Sequence, residues 1–476
     1  MSLNLLSLST EDFLNHIDSH VKARFDSKTY TQADIPLADW ELLTRAGLLL
    51  PALPKEYGGR DSHVELCRLI ERISEHSLPL GMCTMVVSLL FLRHVAKNGT
   101  DALKQEVLPL FAQEPLIGGF ALTEPGCGSA MSRMTTSFEE VDGGYRIRGQ
   151  KHWQAFSGSA HWWVVSARHV DRSTRRYAYF VVKRTEGFKT VERYRPLGLK
   201  LIDYGLNEID AFVPKHRRLQ CEEHNLSGAL EMLCPPRISM AALASGFLKR
   251  ISRDAQARAE ERQIGPVRVA DIGYAKYRLK WIESSMTICE AACRYLEAEA
   301  DLLKDMMESF FAVQAIKTLC TDRMLASALH YQQLCGGEGY RFGAPSNIAA
   351  QAALDARVFP IFDGNNDLLN QQLAEHCLSA APGRPLSEIL AAHPLTGPAL
   401  AHADVAFLDR EMTQPHRVLA GRAIASLFGM TQVMKYTKEG GAQGGPRARR
   451  AIEYLKADLR AIPGEMALLD TGCLTD

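Results

Sequence analysis

The chain has 476 residues, 46% of them hydrophobic and 23% charged, which is the composition of an ordinary globular protein and not of a fibrous or disordered one. Its 55 Lys and Arg balance 55 Asp and Glu, so no net field draws it to nucleic acid or to an anionic membrane, and a small-molecule substrate is expected. Two or three domains are expected at this length, because single cores stop growing at about 250 to 300 residues.

The N-terminal stretch lacks the basic and apolar regions of a secretory signal, which predicts a cytoplasmic protein. Ser9 and Asp12 have capping-box spacing ahead of Phe13 and Leu14, so a helix is predicted to start there. Residues 1–115 read as an all-helical domain. A helix over Asp39–Leu48 is stopped by Pro51 and Pro54, Tyr57-Gly58-Gly59 makes a turn, and Val64–Ile73 and Met82–Val95 carry apolar residues at helical spacing. The apolar run Met82–Leu92 contains Thr84 and Ser88 and is shorter than the ~18 residues of a membrane span, so it is predicted to be a buried helix.

Over 116–224 the period changes to two. Tyr145-Arg146-Ile147-Arg148 alternates behind an Asp142-Gly143-Gly144 turn, and Trp162–Ser166 and Tyr177–Val182 are rich in β formers, with Arg172–Arg176 as the loop between them. This predicts a small antiparallel β domain. Helical patterning returns over 225–378, where Lys276–Leu303 and Phe311–Leu334 lack Pro and interior Gly, as a four-helix bundle requires. Ala381–Pro385 reads as a linker to an additional helical extension, 387–476, with helices over Val418–Lys438 and Ala448–Ala461. The glycines between them, Gly440 to Pro446, fit no phosphate-binding motif. The fold class expected is mainly α with a middle β domain.

The 11 cysteines include no Cys-x-x-Cys pair. Cys289 and Cys293 are one helical turn apart with no His nearby, so buried free thiols are expected and no metal. His-Glu-x-x-His, Gly-x-Ser-x-Gly and Gly-Lys-Ser/Thr motifs are absent from the sequence.

Two stretches stand apart from this background. Gln333-Leu-Cys-Gly-Gly-Glu-Gly-Tyr340 breaks a helical region with glycines that each cost about 1 kcal/mol in a helix, so something there requires bare backbone. Leu354–Asp367 follows, placing one carboxylate on the Asp363-Gly364 turn. Upstream, Phe120-Ala-Leu-Thr-Glu-Pro-Gly-Cys-Gly-Ser129 is followed by Gly149-Gln-Lys-His-Trp153.

These motifs, in this order, resemble the acyl-CoA dehydrogenase family of flavoproteins, from about Trp40 to about Cys377. The resemblance implies FAD as cofactor and α,β-dehydrogenation of an acyl thioester, carried on coenzyme A or an acyl carrier protein. It also implies electron transfer to an electron-transfer flavoprotein or similar acceptor, and a homodimer or homotetramer built on the bundle. Such chemistry needs a base for the α proton, donors to the thioester carbonyl and a flavin to accept the β hydride.

Residue by residue, the resemblance makes Asp363 the base, where the family usually has Glu; the lost methylene is a displacement that can cost on the order of 100-fold. The family's other location for a base, just before the arginine of the central helix, is Pro236 here, ahead of Arg237. Phe120, Leu122, Thr123, Ser129, Trp153, Ala155, Arg262, Gln333, Gly337, Asn365 and Asp367 fall at cofactor positions, and Ser129, Arg237 and Gly364 at substrate positions. Departures are Ala155 for a Thr, Ala130 for an Asp, Asn365 for a Thr, and Ile264-Gly265 for a Phe-Gly.

Competing readings are a core aromatic for Trp153, a helix-face arginine for Arg262, and a helix cap for Asp363, although Asp367 suits a cap before Leu368 better. At the level of function, the alternatives are an oxygen-using enzyme similar to the nitroalkane oxidases, which share the aspartate but place an arginine where this chain has Asn370, and a non-catalytic flavin-binding subunit.

Overall fold

The computed structural model describes residues 4–28, 33–128, 130–221, 227–439 and 445–471. The chain forms two compact units, Met1–Pro236 with Asp301–Met307, and Arg237–Ala300 with Glu308–Asp476.

The first unit opens with helices α1 (Thr10–Arg24), α2 (Leu37–Arg45) and α3 (His63–His76). Ser9 caps α1 as predicted, its Oγ accepting from the Asp12 N–H at 3.2 Å. Then α4 (Leu78–Met85), a π-helical stretch Val86–Leu92, α5 (Arg93–Asn98) and α6 (Asp101–Gln113) follow. The apolar helix is longer than its sequence suggested: Leu78–Asn98 runs 21 residues, because Pro79 lies in the first turn, where no hydrogen bond is lost. By length and composition it could cross a membrane, yet its apolar window is entirely buried within the fold. Arg93, also buried, ties the segment Asp301–Met307 to this unit, donating to the Leu302 carbonyl at 2.7 Å and to Glu231 at 2.6 Å.

Seven strands follow: β1 (Gly118–Ala121), β2 (Ser137–Val141), β3 (Gly144–His152), β4 (Trp162–His169), β5 (Tyr177–Lys183), β6 (Phe188–Tyr194) and β7 (Tyr204–Pro214). They lie in the order β1-β4-β2-β3-β7-β6, with β5 also on β4. The predicted antiparallel pattern holds for β2 with β3, β3 with β7, β4 with β5 and β6 with β7. The pairs β1 with β4 and β2 with β4 are parallel, because the β2–β3 hairpin intervenes in sequence and returns β4 in the direction of β1. Central β4 is buried along Trp162–Ala167, while β7 alternates buried with exposed positions.

In the second unit α8 (Met240–Glu261), which follows α7 (Ser227–Ile238), leads through the hairpin β8 (Gln263–Ile264) and β9 (Val267–Arg268) to α9 (Gly273–Glu299) and α10 (Phe310–Cys335). Then come α11 (Ala349–Ala356), α12 (Asn366–Ala380), α13 (Leu386–Ala392), α14 (Gly397–Leu400), α15 (Gln414–Glu439) and α16 (Gly445–Asp470). Helices α8, α9 and α10 pack on one another and α12 packs on α10, giving the expected bundle. The predicted extension shares this unit: α15 is inserted against α9, α10, α12 and α16. Its Leu419, Ala420 and run from Ala423 to Val433 are nearly all buried, as expected of a helix surrounded by others. The end predicted for the last helix at Ala461 is corrected, since α16 passes through Pro463 with Ile462 and Met466 buried, and side-chain burial outweighs the lost backbone bond. Residues 440–444 of the glycine run lie outside the described residues.

Candidate active site

In the first unit β1 delivers the 120–128 segment, and a buried ion pair fixes it. Glu124 and Lys151 are both fully buried, 2.8 Å apart, and Lys151 Nζ also donates to the Leu122 carbonyl at 3.0 Å and to Ser166 Oγ at 2.9 Å. The Glu124 carboxylate accepts from the Thr135 N–H at 2.6 Å and hydroxyl at 2.7 Å, and from the Thr136 N–H at 3.0 Å. Burial pushes the Glu124 carboxyl up, but Lys151 and the threonine donors outweigh it and bring it to about 2. Burial lowers Lys151 to about 8 against the opposing pull of Glu124, so the pair is ionised at neutral pH.

Thr123 is half-buried, and its carbonyl accepts from the His152 N–H and from Gln154 Nε2, each at 3.0 Å. Trp153 comes next, with φ +61° and 52% of its surface exposed. An aromatic residue in the left-handed region carries a strain of order 1–3 kcal/mol, which persists only where the surrounding structure over-determines the conformation. With half of its surface exposed, Trp153 is not the core aromatic of the alternative reading. Its ring meets Tyr194 at 4.7 Å and Tyr204 at 6.1 Å between centroids. Ala155 is half-buried in the turn that follows. Phe120 lies beside the His94 ring, while the Leu122 side chain packs on Cys127, Met134 and Tyr177. Ser129 lies outside the described residues.

In the second unit the 3₁₀ turn Gly336–Gly339 follows α10 directly. Gln333 and Gly337 are exposed there, and Arg262 Nη1 donates to the Leu334 carbonyl at 3.1 Å. Arg262 caps the end of α8 against this turn, so it is not the helix-face arginine of the alternative reading. These three predicted residues are brought together.

The Asp363 loop is held from behind. Asp363 and Gly364 both adopt left-handed backbone, φ +57° and +93°. Arg237, 4% exposed, donates from Nε to the Asp363 carbonyl at 2.7 Å. Thus Arg237, predicted to serve the substrate, engages the loop backbone. A Cβ on Gly364 would come within 2.9 Å of Leu369 and 3.2 Å of Arg237, which accounts for the glycine.

Asp363 itself is intermediate in exposure, but its Oδ2 is buried without a hydrogen-bond partner. Burial raises its pKa above the usual carboxylate value, with Arg237 and Lys317 pulling the other way. Neither Asp363 nor Asp367 caps α12, which corrects both expectations. The helix begins two residues earlier than predicted, and Asn365 Oδ1 accepts from the Leu368 N–H at 2.8 Å. Asp367 is exposed in the first turn, where its charge complements the helix dipole.

Three family models match the chain in order: acyl-CoA dehydrogenase N-terminal domain over residues 9–115, middle domain over 119–210 and C-terminal domain over 226–378. The chain belongs to the acyl-CoA dehydrogenase family. A Bacillus subtilis relative, "Acyl-CoA dehydrogenase", is 28% identical over 70% of this chain and 87% of its own length. Among solved structures, butyryl-CoA dehydrogenase from Megasphaera elsdenii matches with a TM-score of 0.69 at 20% identity, covering 79% of this chain and all of the other. A Bacillus anthracis acyl-CoA dehydrogenase complexed with FAD gives 0.74 at 19% identity, over 97% of this chain and 87% of that one, so the shared fold extends into the C-terminal helices.

Beside the predicted residues, this member of the family carries others that sequence reasoning missed. Lys151, Glu124 and Gln154 lie inside or beside a recognised motif, but only their burial shows that they hold it. Lys317 is the clearest omission. It is the single charge between Phe310 and Cys320, and lysine is seldom fully buried without a partner, so that isolation was the available signal.

Proposed function

We propose that this protein catalyses α,β-dehydrogenation of an acyl thioester to the trans-2-enoyl thioester, with Asp363 as base. The observation that carries the reading is the buried, unpartnered Oδ2 of Asp363 on a loop whose backbone is bound by Arg237. A carboxylate raised by burial, with one oxygen lacking a donor, is a stronger base than one in water, and the α proton of the thioester passes to that oxygen. Arg237 limits movement of the loop, which matters because Asp reaches one methylene less far than Glu.

The residues present fit FAD. In the first unit Trp153 offers an exposed indole beside Tyr194 and Tyr204, half-buried Thr123 a hydroxyl, and Ala155 a backbone amide; in the second unit, taken by itself, Asn365 has the side-chain amide left over after capping. Arg262, Gln333 and Gly337 form a further polar edge, which a second copy of the chain would use in a homodimer or homotetramer. FAD, when bound, supplies the acceptor of the β hydride, and an electron-transfer flavoprotein or similar protein takes the electrons on.

Asn370 is buried where the oxidase alternative calls for an arginine, which favours dehydrogenation over oxygen-using chemistry. The retained base favours an enzyme over a non-catalytic subunit. In Asp363→Ala, turnover is expected to vanish while the flavin stays bound at wild-type stoichiometry, read from the absorbance ratio of flavin to protein. Full activity in that variant would overturn the assignment.

A further inference from the structure

Beneath the Asp363 loop lies a second cation. Lys317, on α10, is fully buried, and its Nζ donates to the Gly364 carbonyl at 2.8 Å and to Asn366 Oδ1 at 2.7 Å. Asn366 passes the connection on, its Nδ2 donating to Asp322 Oδ1 at 2.7 Å and to Thr321 Oγ1 at 3.0 Å. The carbonyls of two successive left-handed residues, Asp363 and Gly364, are therefore each bound by a buried cation, Arg237 for the first and Lys317 for the second.

We propose that Lys317 is a positioning residue for the reaction above: it fixes the Asp363–Asn366 loop and supplies positive charge that Asp363 needs in order to act as a base. The inference rests on the assignment of Asp363 as that base.

A neutral donor would suffice to bind one carbonyl and one amide oxygen. An ammonium is a costly group to bury, the penalty being several kcal/mol, so its presence calls for a charge that it serves. The charged groups facing it are Asp363 on the loop, Arg237 on α7 and Asp322 on α10 itself. Asp322 in turn faces Arg323 and, from α15, Arg422. Burial lowers Lys317 to about 7, with Asp363 and Asp322 opposing that shift and Arg237 adding to it. Lys317 and Asp363 thus each respond to the charge of the other. The carboxylate must be ionised to take a proton, and a nearby cation keeps it so in a buried setting.

The test follows protonated Asp363 directly in the flavin-loaded protein, by the infrared carbonyl band of its acid form, assigned through its loss in Asp363→Asn. In Lys317→Met the midpoint of this band is expected to rise by about one pH unit or more. In Lys317→Arg it should stay near wild type. The acid limb of kcat/KM should move with it, while KM changes little. Should Lys317→Met not fold, Lys317→Gln, which keeps a donor but drops the charge, carries the same test. An unchanged midpoint, or an equal shift in the Arg variant, would overturn the proposal. The infrared readout needs no substrate, so a shifted band without reduction by any thioester would sink the thioester reading and leave only the charge coupling of Lys317 to Asp363 standing.

Discussion

Asp363 concentrates the cost of the candidate site in one side chain. Its pKa is raised in the folded state, so it adds stability below its unfolded value near 3.8, and this is lost as the pH rises through the folded value. Above that point the protein holds a buried carboxylate with an unpartnered oxygen. Because burial outweighs the attraction of Arg237 and Lys317, Asp363→Asn is expected to raise the melting temperature at neutral pH while abolishing turnover, and a lower melting temperature would show that the attraction of the two cations is the larger effect. Glu124 has the opposite sign. Its pKa, lowered to about 2 from 4.5, contributes stability above about pH 4.5 that disappears as the pH falls through about 2. Removing its partner in Lys151→Met leaves an uncompensated buried charge, and a loss of about 3–5 kcal/mol is expected in denaturant unfolding, with weaker flavin retention. The carboxylate at 363 was legible in the sequence because a motif announces it. Lys317 was announced only by its isolation in an apolar stretch, because its partners Gly364 and Asn366 lie almost fifty residues away and meet it only in the fold.

Most elements were legible, and their ends less so. The period-two segments became β3, β4 and β5, and the Pro-free apolar stretches became α9 and α10. The parallel pairing of β1 and β2 with β4 was not visible, since alternation reports which face a residue takes and not which strand lies beside it. The cap of α12 was misplaced because Asn365, Asp367 and Asp363 are all competent caps, and packing chose among them. Where α15 meets α12, the sequence held a hint that was not read: Gly421 lies within the helix, and a Cβ there would stand 2.0 Å from the Asn370 carbonyl oxygen. Gly421→Ala should push α15 away from α12 and lower stability by about 1–3 kcal/mol in chemical denaturation, despite the better helix propensity of Ala. A neutral or stabilising result would mean that the two helices have room to separate.

For the whole molecule, the C-terminal helices belong to the same unit as the bundle that carries the Asp363 loop. Arg323 on α10 pairs with Asp458 on α16, Arg422 on α15 binds Glu465 on α16 at 2.5 Å, and the buried face of α15 covers α9, α10 and α12. A chain ending after residue 380 would expose those three faces to water, so it is expected to aggregate or unfold, read by circular dichroism and size exclusion. What the molecule does with this scaffold rests on Asp363 acting as a base on an acyl thioester. Mixing the flavin-loaded protein with acyl-CoA esters of increasing length, without oxygen, and following the flavin absorbance band tests that most directly. The account predicts bleaching with at least one ester in the wild type, stable until an electron acceptor is added, and none in Asp363→Asn. A flavin that stays oxidised with every thioester, or that bleaches equally in the variant, would contradict it.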